Sequence, residues 1–280
     1  MLVVRSIESL VCYTLQMQKY HPGLRIAELT LVRLLARGGM SQVWQASRNS
    51  ESVVLKIFCR DDNWNAAECE ECQRYFENEA QWLMKLRHPS LVRGLGSLGT
   101  QSPPITMIEF IEGESLRTWM DGNTGRRSLA LFQRLARGVT EAVKYIHEQC
   151  LMHRDVKPSN VMVTPALSTR LIDLQFVRES PPTFQALDRP MSTGIGAWAF
   201  AAPELIDGLE MRYDARVDIY SLGALLIELL TGRPPRRLPP IACRSDVPHA
   251  LSSLLWEMVD ERPENRPGWG DIAPILLPLE

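Results

Sequence analysis

Between residues 155 and 173 the chain carries Asp155, Lys157, Asn160 and Asp173, in the run His153-Arg154-Asp155-Val156-Lys157-Pro158-Ser159-Asn160 followed by Leu171-Ile172-Asp173. Two carboxylates, an ammonium and a carboxamide at this spacing suit one kind of chemistry: holding divalent metal and phosphate while a hydroxyl attacks. Asp155 is the group to accept the hydroxyl proton, and Lys157 the charge to neutralise a moving phosphoryl group. Asn160 and Asp173 supply oxygens of the kind Mg²⁺ takes.

Side chains so close in sequence converge only if the chain between them folds back. Val161-Met162-Val163 and Thr169–Ile172 read as two short β-branched strands, which carries the polar groups to one end of a small ribbon. Upstream, Leu31–Leu35 reads as a strand and Val43–Ala46 as its hairpin partner. The turn between them holds Gly38 and Gly39. Glycines there let backbone N–H groups approach phosphate oxygens, although ordinary hairpin turns use the same pair. Val53-Val54-Leu55-Lys56 is an apolar strand ending in a lysine, and Arg74–Leu83 is helical with Phe76, Ala80 and Leu83 at core spacing. Leu91–Leu98 and Ile105–Ile111 supply further strands. Ser128–Cys150 is a long amphipathic helix with Phe132, Leu135, Ala136, Val139, Val143 and Ile146 on one face, and His147 beside it reads as a packing histidine. From there the chain is mostly helical.

The 280 residues suffice for a sizeable core, as one large domain or two lobes. Hydrophobic content of 45% with 23% charged residues is that of a water-soluble globular protein. A net charge of −2 argues against a nucleic-acid surface and gives no sign of binding to an anionic membrane. Six dispersed cysteines do not form a disulfide framework and suit a reducing compartment. The C-x-x-C of Cys69 and Cys72 lacks the second pair a zinc site wants, so a solvated helix start is the plainer reading. The most apolar run, Leu222–Leu230, is too short to span a bilayer and contains Glu228. Met1–Gln18 lacks the features of a signal peptide. A cytoplasmic protein is expected, with export as an effector left open.

The run from His153 to Asn160 closely matches the H-R-D-x-x-x-x-N catalytic loop. The chain resembles the eukaryotic-like (Hanks-type) Ser/Thr protein kinases over residues 29–280, and its Gly-Gly-Met wording resembles the bacterial members. The resemblance implies an α+β, bilobal kinase fold: an N-terminal extension over 1–28, a small β-rich N-lobe with one long helix over 29–110, and a larger helical C-lobe over 111–280. It implies ATP and Mg²⁺ in the cleft and transfer of the γ-phosphoryl group to Ser or Thr of protein substrates, the chain itself among them. Asp155 is then the base, Lys157 the charge stabiliser, and Asn160 and Asp173 the metal ligands. Lys56 anchors the α/β-phosphates, and Glu79 orients it. The phase before Leu86-Arg87-His88-Pro89 selects Glu79 over Glu77. Gly38 and Gly39 cover the phosphates, Val43 and Val54 sandwich adenine from above and Met162 from below, and the backbone of Glu109–Ile111 bonds the base. Asp218 caps the catalytic-loop backbone, and Glu204 of Ala-Pro-Glu pairs with Arg266. The oligomeric state is left open.

Several positions depart from the family pattern, Val54 for the usual alanine and Leu174 for the phenylalanine of Asp-Phe-Gly among them. Ala36 and Ser41 replace the first and third glycines of the phosphate loop, Gln175 replaces the glycine of Asp-Phe-Gly, and Ala197 stands where a threonine normally orients Asp155 and Lys157. Ala36, Gln175 and Ala197 favour a competing reading, a weakly active or inactive pseudokinase serving as a nucleotide-binding scaffold. Ser192 and Thr193 are candidate phosphorylation sites, and Arg233, Arg236 and Arg237 form a basic loop.

Overall fold

A computed structural model describes residues 20–61, 64–98, 103–124, 128–180, 185–186, 199–206, 212–235 and 246–277. These fall into two compact units, one within Met1–Arg87 and Val92–Phe110, the other within His88–Leu91 and Ile111–Glu280.

The first unit is an antiparallel sheet with one long helix. Its strands are β1 (Arg25–Ile26), β2 (Leu29–Arg37), β3 (Ser41–Arg48), β4 (Glu51–Phe58), β5 (Gly94–Ser97) and β6 (Ile105–Glu109), in the order β1-β2-β3-β4-β6-β5. Alternation along β3 and β4 sends Trp44, Ala46, Leu55 and Ile57 into a core shared with Leu31 and Ile105. The register Val43↔Lys56 and Trp44↔Leu55 therefore puts Val43, Val54 and Lys56 together on the opposite face. A slip of one residue would exchange the two faces, and the buried core forbids it. Ahead of β2, β1 pairs with it, and Tyr20 and Leu24 pack against the core.

The helix α1 (Ala66–Lys85) is longer than the stretch 74–83 that core spacing alone marks. Its start is set by a capping box, in which Asn65 accepts from the Glu68 N–H at 3.0 Å and Glu68 accepts from the Asn65 N–H at 2.8 Å. Cys72, Tyr75, Phe76, Glu79 and Leu83 are buried along its inner stripe.

The second unit is mostly helical. It comprises α2 (Leu116–Gly122), α3 (Leu129–Glu148), α4 (Pro203–Ile206), α5 (Arg216–Thr231), α6 (His249–Met258) and α7 (Trp269–Leu276). Short strands join them: β7 (Glu114–Ser115), β8 (Leu151–Met152), β9 (Val161–Val163), β10 (Thr169–Leu171), β11 (Arg178–Glu179), β12 (Gln185–Ala186) and β13 (Arg212–Tyr213). Ser128 caps α3 by accepting from the Leu131 N–H, and all six residues of the predicted apolar face are buried. Gly138 lets α3 lie against β10, because a Cβ there would overlap the Thr169 carbonyl oxygen. The helix α5 is buried all round from Val217 to Leu230, as befits the centre of a bundle. Its one inner glutamate, Glu228, receives Arg117 in a two-pronged pair at 3.0 and 2.7 Å. Among the described residues no helix is long and apolar enough to cross a membrane. The architecture is α+β, a β-rich unit with one long helix and a helical unit.

Candidate active site

The loop between β8 and β9 is held from below by one carboxylate. Asp218, in the first turn of α5, is fully buried and accepts the backbone N–H of His153 at 2.6 Å and that of Arg154 at 2.7 Å. Burial alone would raise the Asp218 pKa. The hydrogen bonds it accepts from His147 and from the backbone N–H of His153 hold it below the ordinary value instead. Clamped this way, Arg154 sits at φ 68°, in the left-handed region that a non-glycine residue occupies at a cost of about 1–3 kcal/mol.

From Arg154 the clamp sets the course of the loop up to Asn160. The Asp155 carboxylate receives Lys157 Nζ at 2.8 and 2.7 Å and Asn160 Nδ2 at 2.7 Å. The same Asn160 nitrogen donates to the Asp155 carbonyl at 2.9 Å, and the Asp155 N–H donates to His153 Nδ1 at 3.2 Å. Burial pushes the Asp155 carboxyl above its usual range, against the downward pull of Lys157, and the nearby charge of Asp173 adds to the rise. Burial also drives His153 down, so this fully enclosed ring is neutral near pH 7. It packs and accepts a backbone bond, and carries no charge to the site.

The ribbon then brings in the second carboxylate. Register pairs Leu171 with Val161, and the Ile172 N–H donates to the Asn160 carbonyl at 2.8 Å. Asn160 and Asp173 thus lie at the same end of the ribbon. Asp173 adopts φ 67°, whereas Gln175, two residues on, has no positive φ. The backbone strain at this turn falls on the aspartate, so the absent glycine at 175 is accommodated in this conformation. Leu174 is fully buried. Asn160 directs its amide nitrogen to Asp155, which turns its carbonyl oxygen the other way. That oxygen and the Asp173 carboxylate are hard donors of the type a divalent cation such as Mg²⁺ accepts.

In the first unit, Lys56 Nζ lies 2.6 and 2.8 Å from the two Glu79 oxygens, and both residues are buried. Glu77, two residues earlier, is exposed on the outer side of α1. Gly38 and Gly39 cap the β2–β3 hairpin, where the Gly38 N–H bonds the Ser41 carbonyl at 2.8 Å. Neither has a positive φ, and a Cβ at 39 would meet no protein atom within 4 Å. Among the described residues none crowds a Cβ at that tip. Glu109 donates its N–H to the Arg93 carbonyl at 3.0 Å and accepts the Arg93 N–H at its side chain, 2.6 Å away. Ile111 and Met162 belong to the second unit, Ile111 buried and Met162 half-buried on β9.

Glu204 and Arg266 pair through two bonds at 2.6 and 2.8 Å. Ser192, Thr193, Ala197, Arg236 and Arg237 lie outside the described residues. Nothing in the residue pattern marks His147 as a partner of Asp218, 71 positions away, or Trp269 as a partner of His147. Only the fold brings such distant residues together.

A model of the protein kinase domain matches residues 29–273. Among curated proteins, a Streptomyces coelicolor protein named "Probable serine/threonine-protein kinase" is 32% identical over 209 residues, covering 72% of this chain and 30% of that protein. Serine/threonine-protein kinase PknD of Mycobacterium tuberculosis is 30% identical over 255 residues, covering 88% of this chain and 35% of that one. Serine/threonine-protein kinase PknB of Mycolicibacterium smegmatis is 28% identical over 261 residues, covering 84% and 40%. The chain thus spans between 30% and 40% of the length of these three relatives.

Proposed function

As this chain belongs to the protein kinase family, we propose that it transfers the γ-phosphoryl group of ATP to serine and threonine hydroxyls of proteins, itself among them. The observation that carries this reading is the Asp155 carboxylate, buried and held by both Lys157 and Asn160. An aspartate fixed by two donors and lifted by burial is a base whose orientation is set before the substrate arrives.

Asp155 accepts the proton as the substrate hydroxyl attacks. Lys157, already in contact with that carboxylate, faces the charge that develops on the transferred group. Lys56, oriented by Glu79, anchors the α- and β-phosphates, and the Gly38–Gly39 tip approaches them through its backbone N–H groups. Val43 and Val54, on the same sheet face as Lys56, pack on adenine, and Met162 of the second unit is a further candidate contact for the base. Ile111 and the carbonyl of Glu109 bond the base edge, since the Glu109 N–H is engaged by Arg93. Asn160 Oδ1 and the Asp173 carboxylate would hold Mg²⁺. When bound, the ion neutralises phosphate charge and fixes the phosphate geometry.

The experiment is transfer from γ-labelled ATP with Mg²⁺ to a generic protein substrate, run beside nucleotide binding. Asp155→Asn should retain Mg–ATP binding and lose about 10²–10⁴-fold in turnover, the range of a general base. Lys56→Met should lose nucleotide affinity. Equal labelling by the wild type and Asp155→Asn defeats the assignment, and binding without turnover in the wild type is what a scaffold would give.

A further inference from the structure

The clamp on the catalytic loop does not end at Asp218. His147, on the last turn of α3, has its Nε2 3.0 Å from Asp218 Oδ2, and its Nδ1 lies 3.0 Å from the indole nitrogen of Trp269. Trp269 is the first residue of α7. The two rings meet edge to face, with centroids 5.5 Å apart and planes at 69°. The side chains of His147 and Asp218 are 7% and 0% exposed, so their bond lies away from water, while Trp269 is half-buried.

Donor and acceptor chemistry fixes the direction of the chain. An indole N–H can only donate, so His147 Nδ1 must accept. A neutral imidazole has one proton, which therefore sits on Nε2 and donates to Asp218. The opposite tautomer would set N–H against N–H at Trp269 and a lone pair against the carboxylate at Asp218. Asp218 receives His147 and the His153 N–H on Oδ2 and the Arg154 N–H on Oδ1. Arg154 is the residue held at φ 68° immediately before Asp155.

We propose that Trp269 is a positioning residue for the catalytic loop: by donating to His147 Nδ1 it anchors the ring in the orientation from which Nε2 holds Asp218 against the backbone of His153 and Arg154. Its effect on rate rests on the phosphotransfer reading, whereas its effect on the clamp does not. A ring that merely packs would leave His147 indifferent to the loss of the indole N–H.

The test uses the full chain, ¹⁵N-labelled, as wild type, Trp269→Phe, His147→Gln and the double variant. Phenylalanine keeps a ring at 269 and removes only the donor. In the wild type the His147 nitrogens should report the Nε2–H tautomer with Nδ1 accepting a hydrogen bond, and in Trp269→Phe an Nδ1 signal shifted by the loss of that bond. Amide exchange at His153 and Arg154 should rise about three- to tenfold in Trp269→Phe, the loss that one hydrogen bond of ordinary strength allows, with the rest of the second unit unchanged. Turnover should fall by a similar factor at unaltered KM for ATP and protein substrate. His147→Gln removes the ring that Trp269 anchors, so adding Trp269→Phe to it should have little further effect. Unchanged exchange at the two amides, a rise spread evenly through the unit, or additive effects in the double variant would each overturn the proposal. A wild type without turnover would remove the phosphotransfer reading, while the Nδ1 signal and exchange still decide this one.

Discussion

At the level of single residues, the site rests on two ion pairs, Lys56 with Glu79 and Lys157 with Asp155. Asp155 has the clearest consequence. Its pKa is raised, chiefly by burial and against the pull of Lys157, and a base works only when deprotonated. The acid limb of kcat/KM should therefore lie above the ordinary aspartate value of 3.8, and Lys157→Ala should move it higher by removing a group that favours the charged form. A pH–rate profile read on both proteins checks this, and a limb at or below the ordinary value contradicts it. Much at this level was legible in the sequence. The resemblance, through the distance to Leu86-Arg87-His88-Pro89, pointed to Glu79 rather than Glu77; Glu79 pairs with Lys56, and Glu77 is exposed. The left-handed turn at Asp173 was not legible, because residue type pointed to position 175, where the usual glycine is missing. Backbone angles at a turn are set by the hydrogen bonds that close it.

Among elements, the second unit depends on close approaches and on buried ion pairs. The approach of α3 to β10 at Gly138 leaves no room for a side chain. Gly138→Ala should destabilise by about 1–3 kcal/mol, as overpacking does, with a lower urea midpoint at unchanged slope. An unchanged midpoint would mean that the helix can shift without loss. The Arg266 guanidinium is fully buried, pairs with Glu204 and also donates to the carbonyls of Asp260 and Arg216. Arg266→Met should cost about 3–5 kcal/mol, since a carboxylate and two carbonyls lose their donor together. A thermal or urea midpoint within error of wild type would contradict this. Strands and the long helices were readable from period and from β-branched runs. The true start of α1 was hidden because Asn65 and Glu68 look like surface polar residues until their reciprocal bonds are seen. Residues 20–28 look unpatterned, and only the pairing of β1 with β2 makes them part of the sheet.

For the molecule as a whole, the proposed roles are divided between the units: Lys56 and Glu79 belong to the first, Asp155, Lys157, Asn160 and Asp173 to the second. Mg–ATP at about a hundred times its Kd should stabilise the protein by about 2.7 kcal/mol. Calorimetry should show the gain shrink in both Lys56→Met and Asp173→Asn, and a full gain in either variant would remove that residue from the nucleotide's partners. The family was legible from the catalytic loop and its spacing to Lys56 and to Ala-Pro-Glu. The contribution of Trp269 was not, since a tryptophan near a chain end carries no mark of the histidine it will meet. Phosphotransfer itself is decided by incubating the purified chain with γ-labelled ATP and Mg²⁺ and identifying the phosphorylated residues. Label on serine and threonine from the wild type, and almost none from Asp155→Asn, is the expected outcome. Label that is equal in the two proteins, or absent from serine and threonine in both, rules it out.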